Sequence, residues 1–470
     1  MDQVTPISSE LLSRFEQGYA DRPYLAVMSN AISRTSLGDA SFVPSAAAKL
    51  RMDFSVVVPT TGITNQKKSG RCWMFMVLNA LREQVIRECN LEDFSFSPTY
   101  LAFYDKLEKC NLFYENILHY ADQDLDDRET WTLLGKPLPD GGQWDMVASL
   151  IRKYGVVPSW VMPENVHSTG TAQYMPILSR KLRKDALELR QLARAGRDTA
   201  ARRTEMLQED YNALCILYGQ PPRTFDFAYT DKDKTYHCDT GLTPKTFFEK
   251  YVHYDFSAYV PVISSPIHEM NRTYCQPGMG DVVEENMFWL NLSQEEMETL
   301  TVRQLQAGEP VCFSCDCHPD RDRDHGYWDP DCFQYGQVLG GLDLEMDKAA
   351  RLSSRESTMN HCMLFCGVNL DETGKPDRWK IENSWGGRLG PEGLLHRQRE
   401  VVQGLCLPDC HPQGPAEPGP ARSAGPGASA HEAVGSAGLM ASHSLPLVGF
   451  QARRGLLCAG GRLPFGRILL

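Results

Sequence analysis

Residues 65–76 read Asn-Gln-Lys-Lys-Ser-Gly-Arg-Cys-Trp-Met-Phe-Met, and the chain changes character within them. Before Cys72 the text is polar and glycine-containing; after it, Phe75, Leu78, Leu81, Val85 and Ile86 recur at helical spacing. A loop therefore hands over to a helix at Cys72. A thiol at that junction meets the positive end of the helix dipole, which favours thiolate over thiol.

A nucleophile of this kind needs a base. His361 enters the apolar run Cys362–Val368, whose length and composition read as a strand, and a Cys/His pair at bonding distance is the activated nucleophile of acyl transfer. Asn383 stands in Ile-Glu-Asn-Ser-Trp-Gly (381–386), where its side-chain oxygen can accept the imidazole N–H and fix the ring; Trp385 can shield that bond from water. Gln66 precedes Cys72 by six residues, so its amide N–H2 and the backbone N–H of Cys72 can converge on a developing oxyanion.

The segments NQKKSGRCWMF (65–75), DGGQWDM (140–146) and IENSWG (381–386) resemble the papain-type cysteine peptidases, and the spacing with its inserted segment resembles the bleomycin-hydrolase branch. The similarity covers about residues 1–395. Cys72 and His361 lie much farther apart than the roughly 130–150 residues of simple papains, and an insertion accounts for the excess. The resemblance implies an α+β, two-domain papain-like fold with Cys72 as nucleophile, His361 as base and then acid, Asn383 as orienter and Gln66 as oxyanion donor. It also implies a cytosolic homohexamer that removes N-terminal residues, hydrolyses bleomycin, opens homocysteine thiolactone and uses no cofactor or metal.

Three departures from that family pattern stand out. Met76 and Cys362 replace small residues, and the family's C-terminal strands and active-site tail have no counterpart after about residue 396. That last departure admits a second reading, a catalytically impaired isoform acting only as a scaffold or partner subunit.

Patterning divides the chain into an N-terminal extension (1–60), a helical domain (61–305) with a helical insert at about 165–300, a β-rich domain (306–396) and a divergent tail (397–470). The extension ends in the extended run Phe54–Pro59. Within the helical domain, helices are predicted near 98–119 and through WDMVASLIRKY, with Gly155 as the C-cap. Leu182, Ala186, Leu189 and Ala193, then Leu207, Tyr211, Leu214 and Tyr218, give a helical hairpin. The tail is rich in Gly, Pro, Ala and Ser, too poor in apolar surface to offset ordering entropy, and is predicted to be disordered.

Over 470 residues, 42% hydrophobic and 23% charged residues suit a chain that buries a core. A net charge of -12 disfavours polyanions as bulk partners, although the Arg180–Arg203 stretch, with nine basic residues against three acidic, offers a nucleic-acid-facing surface as an alternative to a solvated helix face or a subunit contact. No apolar run reaches the roughly 20 residues of a membrane span. No secretory leader is readable, and fifteen cysteines, an odd number, fit reduced thiols in the cytoplasm. Cys312, Cys315, Cys317 and His318 imitate a metal motif, but strand alternation splits them between two faces. Asp320, Asp322 and Asp324 imitate a calcium loop that lacks its glycine and terminal glutamate. Peptide or amide substrates remain the expected partners.

Overall fold

The computed structural model describes residues 5–398, apart from 52, 277–279, 284–286, 318–320, 323–325 and 387–393, together with 409–410 and 451–452. Its first layer is helical. The Cys72–Glu88, Pro98–His119 and Trp144–Tyr154 helices pack on one another through Val85, Leu101, Val147 and Leu150, all fully buried. Burying a side chain of this size contributes about 1.5–3 kcal/mol, so the three apolar stripes supply much of the drive to bring these helices together. Gly155 ends the last helix at φ 74°, and a Cβ there would stand 2.3 Å from the Pro244 carbonyl. Both the left-handed turn and the close approach demand glycine.

The insert begins as the expected hairpin. Helices Met175–Arg194 and Ala200–Tyr218 lie against Pro98–His119, with Leu182, Ala186, Leu189 and Leu214 fully buried. Beyond Tyr218 a purely helical insert is corrected by the structure. Phe225–Thr230 pairs antiparallel with Tyr236–Leu242, and Pro261–Ile263, Met287–Asn291 and Arg272–Gln276 form a second sheet. The reason is local: in FDFAYT, Phe227 is fully buried while Asp226 and Ala228 are exposed, the period-two alternation of a strand.

The largest sheet runs Val56–Val57, His361–Leu370, Pro376–Glu382, Leu394–Gln398, Tyr327–Trp328, Arg321–Asp322, with Val311–Cys315 also on His361–Leu370. Val56 registers with Val368, so the end of the N-terminal extension is a strand of the β-rich domain. Leu394–Gln398 pairs with Pro376–Glu382, and the dipeptides Asp409–Cys410 and Gln451–Ala452 add to the second sheet. The rest of the tail expected to be disordered lies outside the described residues. Among the described residues, no helix is long and apolar enough to cross a membrane.

Candidate active site

The site forms where the helical layer meets the large sheet. The loop before Cys72 is zipped to the turn after Asn383: Gln66 N–H donates to the Ser384 carbonyl at 2.8 Å, the Ser384 hydroxyl donates to Gln66 Oε1 at 2.7 Å, and Gly386 N–H donates to the Thr64 carbonyl at 2.9 Å. These bonds bring the two catalytic-looking motifs, more than three hundred residues apart in sequence, into one rigid strip. Gly386 is held at φ 80°, and a Cβ would press on the Asn65 amide at 2.5 Å.

Cys72 opens the Cys72–Glu88 helix, is 8% exposed, and lines a cavity of about 390 Å3 together with Gln66, Gly142, His361 and Cys362. His361 Nε2 lies 2.7 Å from Asn383 Oδ1, which also accepts the Ser384 backbone N–H at 2.7 Å. An oxygen receiving a backbone donor is an acceptor, so Nε2 carries the proton and Nδ1 is left for the thiol. Trp385 stacks on the imidazole with ring centroids 4.7 Å apart and planes at 24°, covering the His361–Asn383 bond. Gln66 Nε2 donates to the Ser69 carbonyl at 2.7 Å, which fixes the amide and leaves its second hydrogen.

The thiol of Cys72 is held well below its ordinary range. A hydrogen bond from the Cys362 thiol has the largest effect; burial opposes it, and the charge and hydrogen bond of His361 add to the lowering. Cys362 is correspondingly pushed up, first by that bond to Cys72 and then by burial. Its sulfur also lies 3.0 Å from the Ser314 hydroxyl. The structure thus brings Gln66, Cys72, His361 and Asn383 together, and adds Cys362 as a neighbour of Cys72.

A second layer, missed in the sequence, holds the loop before Cys72 from behind. Asp140 Oδ2 accepts the Gly70 N–H at 2.7 Å and the Thr171 hydroxyl at 2.6 Å, while Oδ1 pairs with Lys106 at 2.9 Å. Burial alone would raise this carboxyl, but the Lys106 charge and the bonds from Thr171, Lys106 and Gly70 outweigh it and hold it well below the usual range. Lys106 and Lys109 share Asp105, and Lys109 donates to the Gly141 carbonyl at 2.8 Å while lying over the Trp73 ring. Gly142 lies against the same indole; a Cβ there would come within 2.6 Å of it. Gly142 of DGGQWDM is therefore a seat for Trp73. The only advance signal was an aspartate beside two glycines, which reads equally as a turn.

The remaining motifs resolve differently. In the Arg180–Arg203 stretch, Arg190 donates to the Tyr120 and Gln123 carbonyls, Arg194 to Ala121 and Gln123, and Arg183 to Leu134 and Gly135. Lys181 pairs with Asp185 and Asp210, and Arg202 with Glu188. Much of this charge caps carbonyls after the Pro98–His119 helix and knits the insert to it. Met76, 3% exposed, packs within the core. Cys312 registers with Leu364 and Cys315 with His361; His318, Asp320 and Asp324 lie outside the described residues.

Comparison with known proteins identifies the family. The model of the Peptidase C1-like family matches residues 6–406. Aminopeptidase G of Lactobacillus delbrueckii subsp. lactis is 41% identical over 389 residues, covering 82% of this chain and 88% of that protein. Aminopeptidase C of Streptococcus thermophilus is 39% identical over 398 residues, covering 83% and 89% respectively. The crystal structure of PepW from Lactobacillus rhamnosis HN001 is similar with a TM-score of 0.84 at 38% identity, over 86% of this chain and 92% of that one. With its helical layer, its sheet layer and the cysteine between them, this chain belongs to the Peptidase C1-like family, the cysteine peptidases of papain-like α+β fold.

Proposed function

We propose that this chain is a cysteine aminopeptidase in which Cys72 is the nucleophile, His361 the proton carrier, Asn383 the orienter and Gln66 the oxyanion donor. The observation that carries the reading is the Asn383–His361 bond at 2.7 Å, next to a thiol held low by Cys362 and His361. The Cys72 thiolate attacks the scissile carbonyl. Its oxygen develops negative charge between the free Gln66 Nε2 hydrogen and the Cys72 backbone N–H. His361 Nδ1 delivers a proton to the departing amine, leaving a thioester on Cys72, and then removes a proton from the water that hydrolyses it.

The names of the relatives, aminopeptidases C and G, support removal of N-terminal residues. Within the same reading, bleomycin and homocysteine thiolactone are amide and thioester substrates of the chemistry this site performs, and a cytoplasmic homohexamer is the assembly. The assembled Cys72, His361 and Asn383 favour this reading over a catalytically impaired scaffold. A nucleic-acid partner has little support, since so much of the Arg180–Arg203 charge is engaged internally.

The test compares hydrolysis of aminoacyl anilides with their Nα-acetylated counterparts, in the native chain and in Cys72→Ala. Turnover confined to free amino termini and abolished in Cys72→Ala is expected. Retained turnover in Cys72→Ala contradicts the nucleophile, and equal cleavage of blocked substrates contradicts the aminopeptidase. Bleomycin and homocysteine thiolactone in the same assay, with the native mass measured by light scattering, decide the finer substrate and hexamer claims.

A further inference from the structure

Cys362 is the second residue of the His361–Leu370 strand and registers with Ser314 of Val311–Cys315. Its sulfur lies 3.0 Å from the Ser314 hydroxyl; Cys72 and Cys362 line one cavity, at 8% and 5% exposure, and Cys362 has the largest lowering effect on the Cys72 thiol. Neither is in a disulfide. Peptide hydrolysis forms a covalent bond to a single thiol, so the second one, beyond lowering the first, takes no covalent part in the mechanism above.

We propose that Cys362 is a resolving thiol for Cys72, so that hydroperoxides convert the active site reversibly to a Cys72–Cys362 disulfide. In the first step the Cys72 thiolate attacks the distal oxygen of a hydroperoxide; the O–O bond breaks, an S–O bond forms, and the displaced alkoxide or hydroxide takes up a proton. Cys72 is now a sulfenic acid and the peroxide has been reduced to an alcohol or water. In the second step the Cys362 sulfur attacks the Cys72 sulfur, an S–S bond replaces the S–O bond, and hydroxide leaves with the Cys362 proton as water. Two thiols have been oxidised and one peroxide reduced. A dithiol reductant reverses the product by exchange.

The order of these steps follows from the site. Cys72 is the sulfur that reacts first, because its thiol is lowered well below the ordinary range while that of Cys362 is pushed up. The chief influence keeping the proton on Cys362 is its bond to that thiolate, and sulfenic acid formation removes the negative acceptor. Oxidation of the first sulfur therefore releases the second, and the Ser314 hydroxyl stays beside it as a hydrogen-bond partner through the attack. A small residue at 362 has no such route, and its nucleophile is left to over-oxidise irreversibly.

The test treats the purified full-length chain with hydrogen peroxide near neutral pH, blocks free thiols with N-ethylmaleimide, and maps a non-reducing digest by mass spectrometry. A peptide pair joining Cys72 to Cys362 is expected, with activity lost and then restored by dithiothreitol. Cys362→Ala and Cys362→Ser, each normalised to its own untreated activity, are expected to lose that recovery and to accumulate Cys72 sulfinic acid. Cys72 recovered as sulfinic acid in the native chain, or linked to another cysteine, overturns the proposal. So does full recovery in both Cys362 variants. The proposal rests on the thiolate at Cys72, and alkylation of Cys72 in the untreated enzyme checks that point separately: a labelled thiolate without the disulfide sinks this proposal alone.

Discussion

Asp140→Asn removes one negative charge from behind the nucleophile loop without changing side-chain volume. In the native chain that carboxylate receives the Gly70 N–H at 2.7 Å, the Thr171 hydroxyl at 2.6 Å and the Lys106 ammonium at 2.9 Å, at 7% exposure. Breaking a buried ion pair from one side costs about 3–5 kcal/mol. Lys106 keeps Asp105 at 2.9 Å, which puts the cost at the lower end, about 3 kcal/mol. The new amide sets a donor against Gly70 N–H or Thr171, adding about 1 kcal/mol for an unsatisfied buried group. A loss of about 3–4 kcal/mol at neutral pH is therefore expected in equilibrium urea unfolding. The native carboxyl is depressed in the fold, so its contribution is fully present above the unfolded value of about 3.9 and is lost as pH falls through the lower folded value. The gap between native and variant should accordingly hold from pH 7 down to about 5 and narrow below about 4. A gap under about 1 kcal/mol at neutral pH, or one that does not narrow in acid, would refute the assignment of Asp140 as the buried anchor of this loop.

Gln66→Ala should lower kcat by about 100 to 1000-fold with a smaller change in KM, as loss of an oxyanion donor requires; an unchanged kcat in steady-state assays removes Gln66 from that role. Asn383→Ala deletes the acceptor for both His361 Nε2 and Ser384 N–H, and kcat/KM should fall by at least about 100-fold while substrate affinity changes little. An effect seen only in KM contradicts the orienting role. The acid limb of kcat/KM should lie well below the ordinary thiol range, because Cys362 and His361 hold Cys72 down, and should move to higher pH in Cys362→Ala. A limb that does not move leaves Cys362 without influence on the nucleophile.

Local chemistry was legible in the sequence and long-range closure was not. Cys72 announces itself because the apolar period begins at that residue, and Gly155 because a helix there has to end. Asn383 and His361 were readable through residue type and order, and their 2.7 Å bond follows from two neighbouring strands, the first of which the apolar run Cys362–Val368 forecast. The Asp140–Lys106 anchor could not be read, since its members lie on a turn and a helix whose contact only the packed layers create. The Cys362–Cys72 bond was hidden for the same reason: position 362 reads as one more buried strand residue. In the insert, the long apolar stripes of Met175–Arg194 and Ala200–Tyr218 forecast helices, whereas strands as short as Pro261–Ile263 carry too few alternations to register. The internal use of the basic run could not be read, because the carbonyls at Tyr120, Ala121 and Gln123 that its arginines meet leave no trace in residue type.

The central claim is that Cys72 stands as a thiolate paired with His361. Substoichiometric iodoacetamide near pH 6, where ordinary thiols of pKa about 8.5 are protonated, tests it among all fifteen cysteines when the labelled site is mapped by mass spectrometry. Label concentrated on Cys72 and lost from it in His361→Ala is expected. Slow labelling spread across the cysteines, or label on Cys72 that survives His361→Ala unchanged, contradicts it.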